Sequence, residues 1–289
     1  MPRRKEAGVE KMTTGVDTRH QMSMLQTMVG AAERDVERRR AQVSLPELEG
    51  QLHTRDDSRP FREALTSPGL SVIAEFKRRS PSAGDIDISV ELADQVRLYQ
   101  RAGAVALSIL TDAEHFGGQL DDLRDARSAS DLPVLRKDFT VDRYQLYEAV
   151  VHGADAVLLI AAVLQDNALG DLYDEAQTLD LDCIVEVRTL EELERALGLD
   201  ADIIGINNRD LETLDIDVGR TFDLLKHIPT GKTVVSESGI EEPDQMDRLQ
   251  EAGVDAALIG HALMGAPDPE VQMRRLLRAD EGTREHHLP

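Results

Sequence analysis

Glu75 and Lys77 close an apolar run, SVIAEF, that begins at Ser71, and a Ser-Pro-Ser turn at 80–82 follows directly. Side chains alternate faces along an extended strand, so an acid and an amine two residues apart meet on one face at one strand end. As an exposed ion pair they would contribute little. At the mouth of a pocket the same two groups can bind an anion and move a proton. Lysine usage favours the second reading: of 33 basic residues only Lys5, Lys11, Lys77, Lys137, Lys226 and Lys232 are lysine, so arginine serves wherever positive charge alone is needed. Lys137 ends another short apolar run, in DLPVLRKDF at 131–139. Lysine is the compact cation whose proton affinity responds to burial and neighbours, and its sparing use at two strand ends points to acid–base chemistry.

The elements that must position these groups are legible as a repeat. The phrase small-Gly-small-x-Ala-apolar recurs as AGAVAL from 102, HGADAVLL from 152 and AGVDAAL from 252, with a diverged copy, LDADIIGI, from 199. Between these copies lie SVIAEF, PVLRKDF, CIVEV and TVVSES, which makes eight strand candidates, each followed by a polar stretch of helical period. Thr189 with Glu192 forms a capping box, Asp217 can cap its segment, and Gly103, Gly153 and Gly253 close helices. Strict alternation of strand and helix implies a parallel sheet, and eight units between 71 and 276 imply an α/β fold, a (βα)8 TIM barrel. A doubly wound sheet would carry a Gly-rich phosphate loop, and neither GxGxxG nor GxxxxGK[ST] occurs.

Ahead of the barrel, Leu25, Met28, Val29, Ala32 and Val36 follow helical spacing, and Ser44 with Glu47 marks a second short helix. The expected layout is a loose N-terminus (1–20), a helical extension packed across the barrel's bottom or rim (21–70), the barrel (71–278) and a loose tail (279–289).

Composition bounds the partners. A net charge of −22 argues against nucleic acid and anionic membrane surfaces. An acid-rich, lysine-poor surface with 3% aromatic residues is the composition expected of a protein working in molar salt, where screening relieves self-repulsion. Cys183 is the only cysteine, which excludes an internal disulfide and a thiolate zinc cluster and suits a reducing cytoplasm. The start, MPRRKEAG, has no apolar stretch after its basic residues, and the longest apolar run, Ala156 to Leu164, is too short to span a bilayer.

Active sites of this fold sit at the C-terminal strand ends. Those ends carry Glu75 and Lys77, Lys137, Glu186, Asn207 with Arg209, and Ser236, Glu237 and Ser238. In an ideal strand Glu237 points away from Ser236 and Ser238, so its place is the least settled. Small residues in SESGI (236–240) and LIGHALM (258–264) offer backbone N–H groups for a phosphate. Phe116 and Phe139 could line a flat apolar pocket. The residues alone point to a sugar phosphate or a relative and leave the reaction open, an isomerase, a Schiff-base aldolase and a silent binder among the readings.

From about 20 to 276 the chain resembles the indole-3-glycerol phosphate synthase family. The resemblance is carried by IAEFKRRSPS (73–82), LTDAEHFGGQLDDL (110–123), LRKDFTVDRYQLYEA (135–149), GADAVLLI (153–160), VEV (185–187), GINNRDL (205–211), SESGI and LIGHALM. It implies a carbon–carbon lyase that closes the ring of 1-(2-carboxyphenylamino)-1-deoxyribulose 5-phosphate with loss of carbon dioxide and water, without metal or organic cofactor. It further implies Lys137 as the general acid at the developing alkoxide, with Glu186 and Asn207 stabilising or orienting it, and Phe116 and Phe139 holding the aryl ring. Lys77 would engage substrate anions and serve as acid when the hydroxyl leaves, while Glu75 removes the ring proton; these two assignments are exchangeable. Arg209, Glu237, Ser238, Ile259 and His261 would contact substrate, and Ser80, Gly239 and Gly260 would cradle the phosphate. Gln119 and His261 depart from the usual pattern of the family. A monomer or weak oligomer is expected.

Overall fold

The computed structural model describes residues 23–52, 58–81, 84–86 and 90–279. The expected loose ends, 1–20 and all but the first residue of 279–289, lie outside this range. Eight parallel strands close into a barrel: β1 (Ser71–Phe76), β2 (Ala106–Leu110), β3 (Val134–Lys137), β4 (Ala156–Ile160), β5 (Asp182–Val187), β6 (Ile203–Asn207), β7 (Thr233–Glu237) and β8 (Ala256–Ile259). These are the eight segments expected from the sequence. Each is buried on both faces, as parallel strands covered by helices must be.

The two faces serve different cores. Outward residues such as Val72, Ala74, Phe76, Leu107 and Ile109 pack with the surrounding helices, while Ile73, Ala106, Leu135, Ala156, Ile184, Ile203, Val235 and Ala256 fill the barrel. Strand alternation stacks the interior in layers of four drawn from alternate strands. Ile73, Leu135, Ile184 and Val235 of β1, β3, β5 and β7 make an apolar layer. The next layer up from the same strands is Glu75, Lys137, Glu186 and Glu237. Two residues of register therefore separate a dry core from a fully ionisable ring.

Three helices precede β1: α1 (Met24–Arg40), α2 (Leu45–Glu49) and α3 (Phe61–Leu65). They occupy both ends of the barrel. Phe61 and Leu65 of α3 are fully buried against the lowest interior residues, and the Arg62 N–H donates to Asp182 Oδ2 at 2.9 Å at the start of β5, which closes the bottom. Helix α1 runs to the mouth, where Met28 lines the pocket described below. Its C-terminal end is fastened by Arg39 to Glu148 (2.6 Å) and Arg40 to Asp142 (2.5 Å). Met28, Ala32 and Val36 are buried, as their helical spacing predicts.

The barrel helices are α4 (Leu92–Ala102), α5 (Ala113–Phe116), α6 (Asp121–Ala129), α7 (Tyr144–Val151), α8 (Asp166–Thr178), α9 (Leu190–Gly198), α10 (Gly219–Leu225), α11 (Pro243–Ala252), α12 (His261–Met264) and α13 (Pro269–Leu276). Among the described residues none is long and apolar enough to cross a membrane. One capping expectation takes a modified form. Thr189 Oγ1 accepts from Glu192 N at 3.2 Å, but the Glu192 carboxylate reaches the Arg188 N–H rather than closing the box on Thr189. Glu47 Oε2 receives both the Ser44 N–H (2.6 Å) and the Ser44 hydroxyl (2.7 Å). Helix α3 and a small hairpin, Arg79–Ser80 with Gly84–Asp85, are not anticipated by periodicity because both are shorter than two turns or two pleats.

Candidate active site

Lys137 Nζ stands over the barrel axis and donates to Glu237 Oε2 at 2.8 Å and Glu186 Oε2 at 3.1 Å. β3 and β7 lie opposite one another in the closed sheet, so this amine bridges the ring. Asn207 Nδ2 donates to the other Glu186 oxygen at 3.1 Å. Beside them, Lys77 Nζ donates to Glu75 Oε1 at 2.6 Å, and the Ser108 hydroxyl reaches Glu75 Oε2 at 3.4 Å. The face-sharing of Glu75 and Lys77 expected from strand alternation holds.

Burial and neighbours set the charges. Burial opposes the Lys137 ammonium, but Glu237, Glu186 and Glu75 outweigh it and drive its pKa well above that of a free lysine. Burial would also raise Glu75, yet Lys77 and Lys137 hold its carboxyl below the ordinary range. Glu237 goes the other way: burial and the adjacent carboxylates outweigh Lys137 and push it up to about 7. One of its oxygens, Oε1, is buried without a hydrogen-bond partner. The site thus holds a permanent acid and two carboxylates of different basicity within one layer.

Two glycines make this crowding possible. A methyl group on Gly205 would lie 2.4 Å from Glu237 Oε1, and one on Gly260 would lie 2.4 Å from Glu75 Oε1 and 2.9 Å from Lys77 Nζ. Charged side chains occupy the space that side chains of β6 and the end of β8 would otherwise fill.

Around this ring the remaining candidates converge. Phe139 is buried two residues beyond Lys137, and Phe116 ends α5, whose N-cap Asp112 accepts from the His115 N–H at 2.6 Å and the Phe116 N–H at 3.2 Å. Arg209 is set by its N–H to Asn207 Oδ1 (3.0 Å) and Nη1 to the Leu214 carbonyl (3.1 Å). Ser80, Ser238, Gly239, Ile259, Gly260 and His261 form the wall where β1, β7 and β8 end. Apart from Ser236, the site residues expected from the sequence line one pocket.

One strand residue is corrected. Ser236 does not face the mouth; it is fully buried outside the barrel, where its hydroxyl meets Asn208 Nδ2 at 3.1 Å and Thr221 Oγ1 at 2.7 Å. On β7 it is Glu237 that points inward, because Val235 below it belongs to the interior. Gln119 stays out of the pocket, its N–H bonded to Asp122 at the start of α6. Beyond Phe116 and Phe139, sequence reasoning missed further apolar residues of the pocket, Met28, Ile160, Leu211 and Leu214 among them. Leu211 directly follows GINNRD and Leu214 lies three residues further on, the one local signal that could have revealed them.

A family model for indole-3-glycerol phosphate synthase matches residues 25–276. The indole-3-glycerol phosphate synthase of Syntrophobacter fumaroxidans is 42% identical over 88% of this chain and 97% of its own length. That of Aquifex aeolicus is 46% identical over 81% of this chain and 91% of its own. The chain belongs to the indole-3-glycerol phosphate synthase family. Its reaction is the ring closure of 1-(2-carboxyphenylamino)-1-deoxyribulose 5-phosphate to indole-3-glycerol phosphate, a carboxy-lyase step of tryptophan biosynthesis. A solved 3-hexulose-6-phosphate synthase, 16% identical, superposes with a TM-score of 0.58 over 73% of this chain and 99% of its own, a likeness of fold alone. For a synthase of this family the pocket has suitable chemistry: an ammonium at its centre, carboxylates beside it, apolar walls for an aryl ring and small residues at two strand ends.

Proposed function

We propose that indole ring closure proceeds here by general acid–base catalysis with Lys137 as the acid. The observation that carries this reading is the Lys137 ammonium held between Glu186 and Glu237 at the barrel axis. Attack of the aryl carbon on the ribulose C2 carbonyl leaves an alkoxide, and a proton delivered from Nζ converts it to a hydroxyl. Glu186 and Asn207 orient that amine. Decarboxylation returns the electron pair to the ring. Departure of the hydroxyl as water then takes a second proton, from Lys77, and Glu75, 2.6 Å from Lys77, accepts the proton whose loss completes the aromatic indole. The carboxylate held low suits a resting anion ready to accept.

Phe116, Phe139 and Leu211 clasp the aryl ring, Arg209 and Ser238 engage the substrate's polar groups, and Glu237 keeps Lys137 charged. Ser80, Gly239, Ile259, Gly260 and His261 enclose the phosphate, with backbone N–H groups as donors. The chain divides into an N-terminal stretch (1–20), a helical extension (21–70), the catalytic barrel (71–278) and a tail (279–289). It works in the cytoplasm as a monomer or weak oligomer. The acid-rich, lysine-poor composition supports a halophilic source.

The test is indole fluorescence on adding the carboxyphenylamino-deoxyribulose phosphate to purified protein. A rising indole signal is expected, abolished by excess inorganic phosphate. Absence of signal from folded protein would move the assignment to another sugar-phosphate chemistry of the same barrel.

A further inference from the structure

Asn208 is fully buried behind the pocket lining, of which it is not itself a part, and uses every polar group it has. Its backbone N–H donates to the Glu237 carbonyl at 2.9 Å, and its carbonyl accepts from the Asp217 N–H at 2.9 Å. Its side-chain nitrogen donates to Ser236 Oγ at 3.1 Å and to the Ser238 carbonyl at 3.0 Å, while its oxygen accepts from Thr221 Oγ1 at 2.8 Å. One side chain thus ties the end of β6 to the turn that follows β7.

That turn is strained. Ser238 has φ of +68°, a left-handed conformation that a residue with a Cβ adopts at a cost. Gly239 follows at φ +79°, where an added methyl would meet Ile216 Cγ2 at 2.4 Å. The carbonyl of Ser238 and the N–H of Gly239 belong to one planar trans peptide and point in opposite directions. Holding the carbonyl against Asn208, in the wall, aims the Gly239 N–H into the pocket that Gly239 lines. Among the described residues that N–H has no acceptor.

We propose that Asn208 is a positioning residue for the substrate's phosphate: its carboxamide locks the Ser238–Gly239 peptide in the orientation that presents the Gly239 N–H to the ligand. The inference rests on the reading that this turn binds phosphate. Asn208 touches neither the substrate nor the reacting atoms; it acts through Ser238.

The experiment is a double-mutant cycle read by titrating indole-3-glycerol phosphate against each variant, with kcat, KM and Tm measured alongside. Asn208→Leu is expected to raise Kd and KM roughly tenfold, the order of one strained backbone conformation, with kcat changed much less. In a Ser238→Gly background, whatever that change does by itself, Asn208→Leu should raise Kd less than about threefold, because glycine reaches positive φ without help. A merely structural role predicts equal losses in both backgrounds, parallel to the fall in Tm, and that result overturns the proposal. If Asn208→Leu does not fold, Asn208→Asp keeps the shape, can still accept from Thr221 and cannot donate to Ser238; the same background dependence is expected, and its absence overturns the proposal equally. Gly239→Ala separates the two readings. If it leaves Kd unchanged, the phosphate turn itself is wrong; if it weakens binding while the Asn208 variants do not, the turn stands and the role of Asn208 falls.

Discussion

Glu237 and Lys137 sit on diametrically opposed strands, yet their side chains meet at 2.8 Å over the barrel axis. Each sets the state of the other. The carboxylate helps keep the amine charged, and burial beside two further carboxylates keeps Glu237 itself near neutrality. The ammonium proposed as proton donor is therefore held by a carboxyl that its surroundings push up to about 7.

Replacing the acid should remove the chemistry and spare the binding. Lys137→Ala is expected to lower kcat by roughly 10² to 10⁴, the usual worth of a positioned general acid, with KM changed far less. Steady-state indole fluorescence reads both constants, and near wild-type turnover would strip Lys137 of its role.

The pH profile should report Glu237. Its carboxyl titrates at about 7, and only the ionised form fixes the Lys137 ammonium, so kcat/KM should rise with pH through that region. In Glu237→Gln this limb should vanish while any limb from the substrate phosphate remains. Stability has the opposite sign: with the folded value raised from 4.5, this group's contribution is fully present below about 4.5 and is lost as pH rises through about 7. Identical profiles for the two proteins would exclude Glu237 as the titrating group.

Space at Gly260 should prove essential. Gly260→Ala drives a methyl to 2.4 Å from Glu75 Oε1, parting it from Lys77, and a fall in kcat of at least tenfold is expected. Gly198 ends α9, and a methyl added there would meet nothing within 4 Å, so Gly198→Ala serves as the control, with activity retained and stability raised by about 0.5 kcal/mol. Equal effects of the two substitutions on kcat would refute the steric argument.

Salt should stabilise the protein. A net charge of −22 repels itself until screened, and the screening length falls from about 10 Å at 0.1 M to about 3 Å at 1 M. Thermal midpoints should climb by several degrees across that range of potassium chloride, with turnover following. A flat or falling curve would count against a halophilic source.

Much of this protein is readable from one dimension. The eight strands are visible because apolar runs of four to six residues alternate with helical periodicity, and parallel strands covered on both faces leave no other pattern. Glu75 and Lys77 are visible as partners because two residues of strand spacing guarantee a shared face. Their companions are visible as residue types at strand ends, but not as contacts. Helix α3 escapes such a reading, since five residues carry no period, and so does Met28's place in the pocket, since the same spacing describes a helix packed at either end of the barrel.

The sequence by itself determined the fold and the inventory of ionisable groups, because both follow from local periodicity and residue type. Tertiary structure alone decided that Glu237 rather than Ser236 faces the axis, that Lys137 reaches Glu186 and Glu237 from across the ring, and that Asn208 grips the Ser238 peptide. Those facts depend on how the strands are staggered as the sheet closes, and stagger is fixed by packing among residues as much as a hundred positions apart.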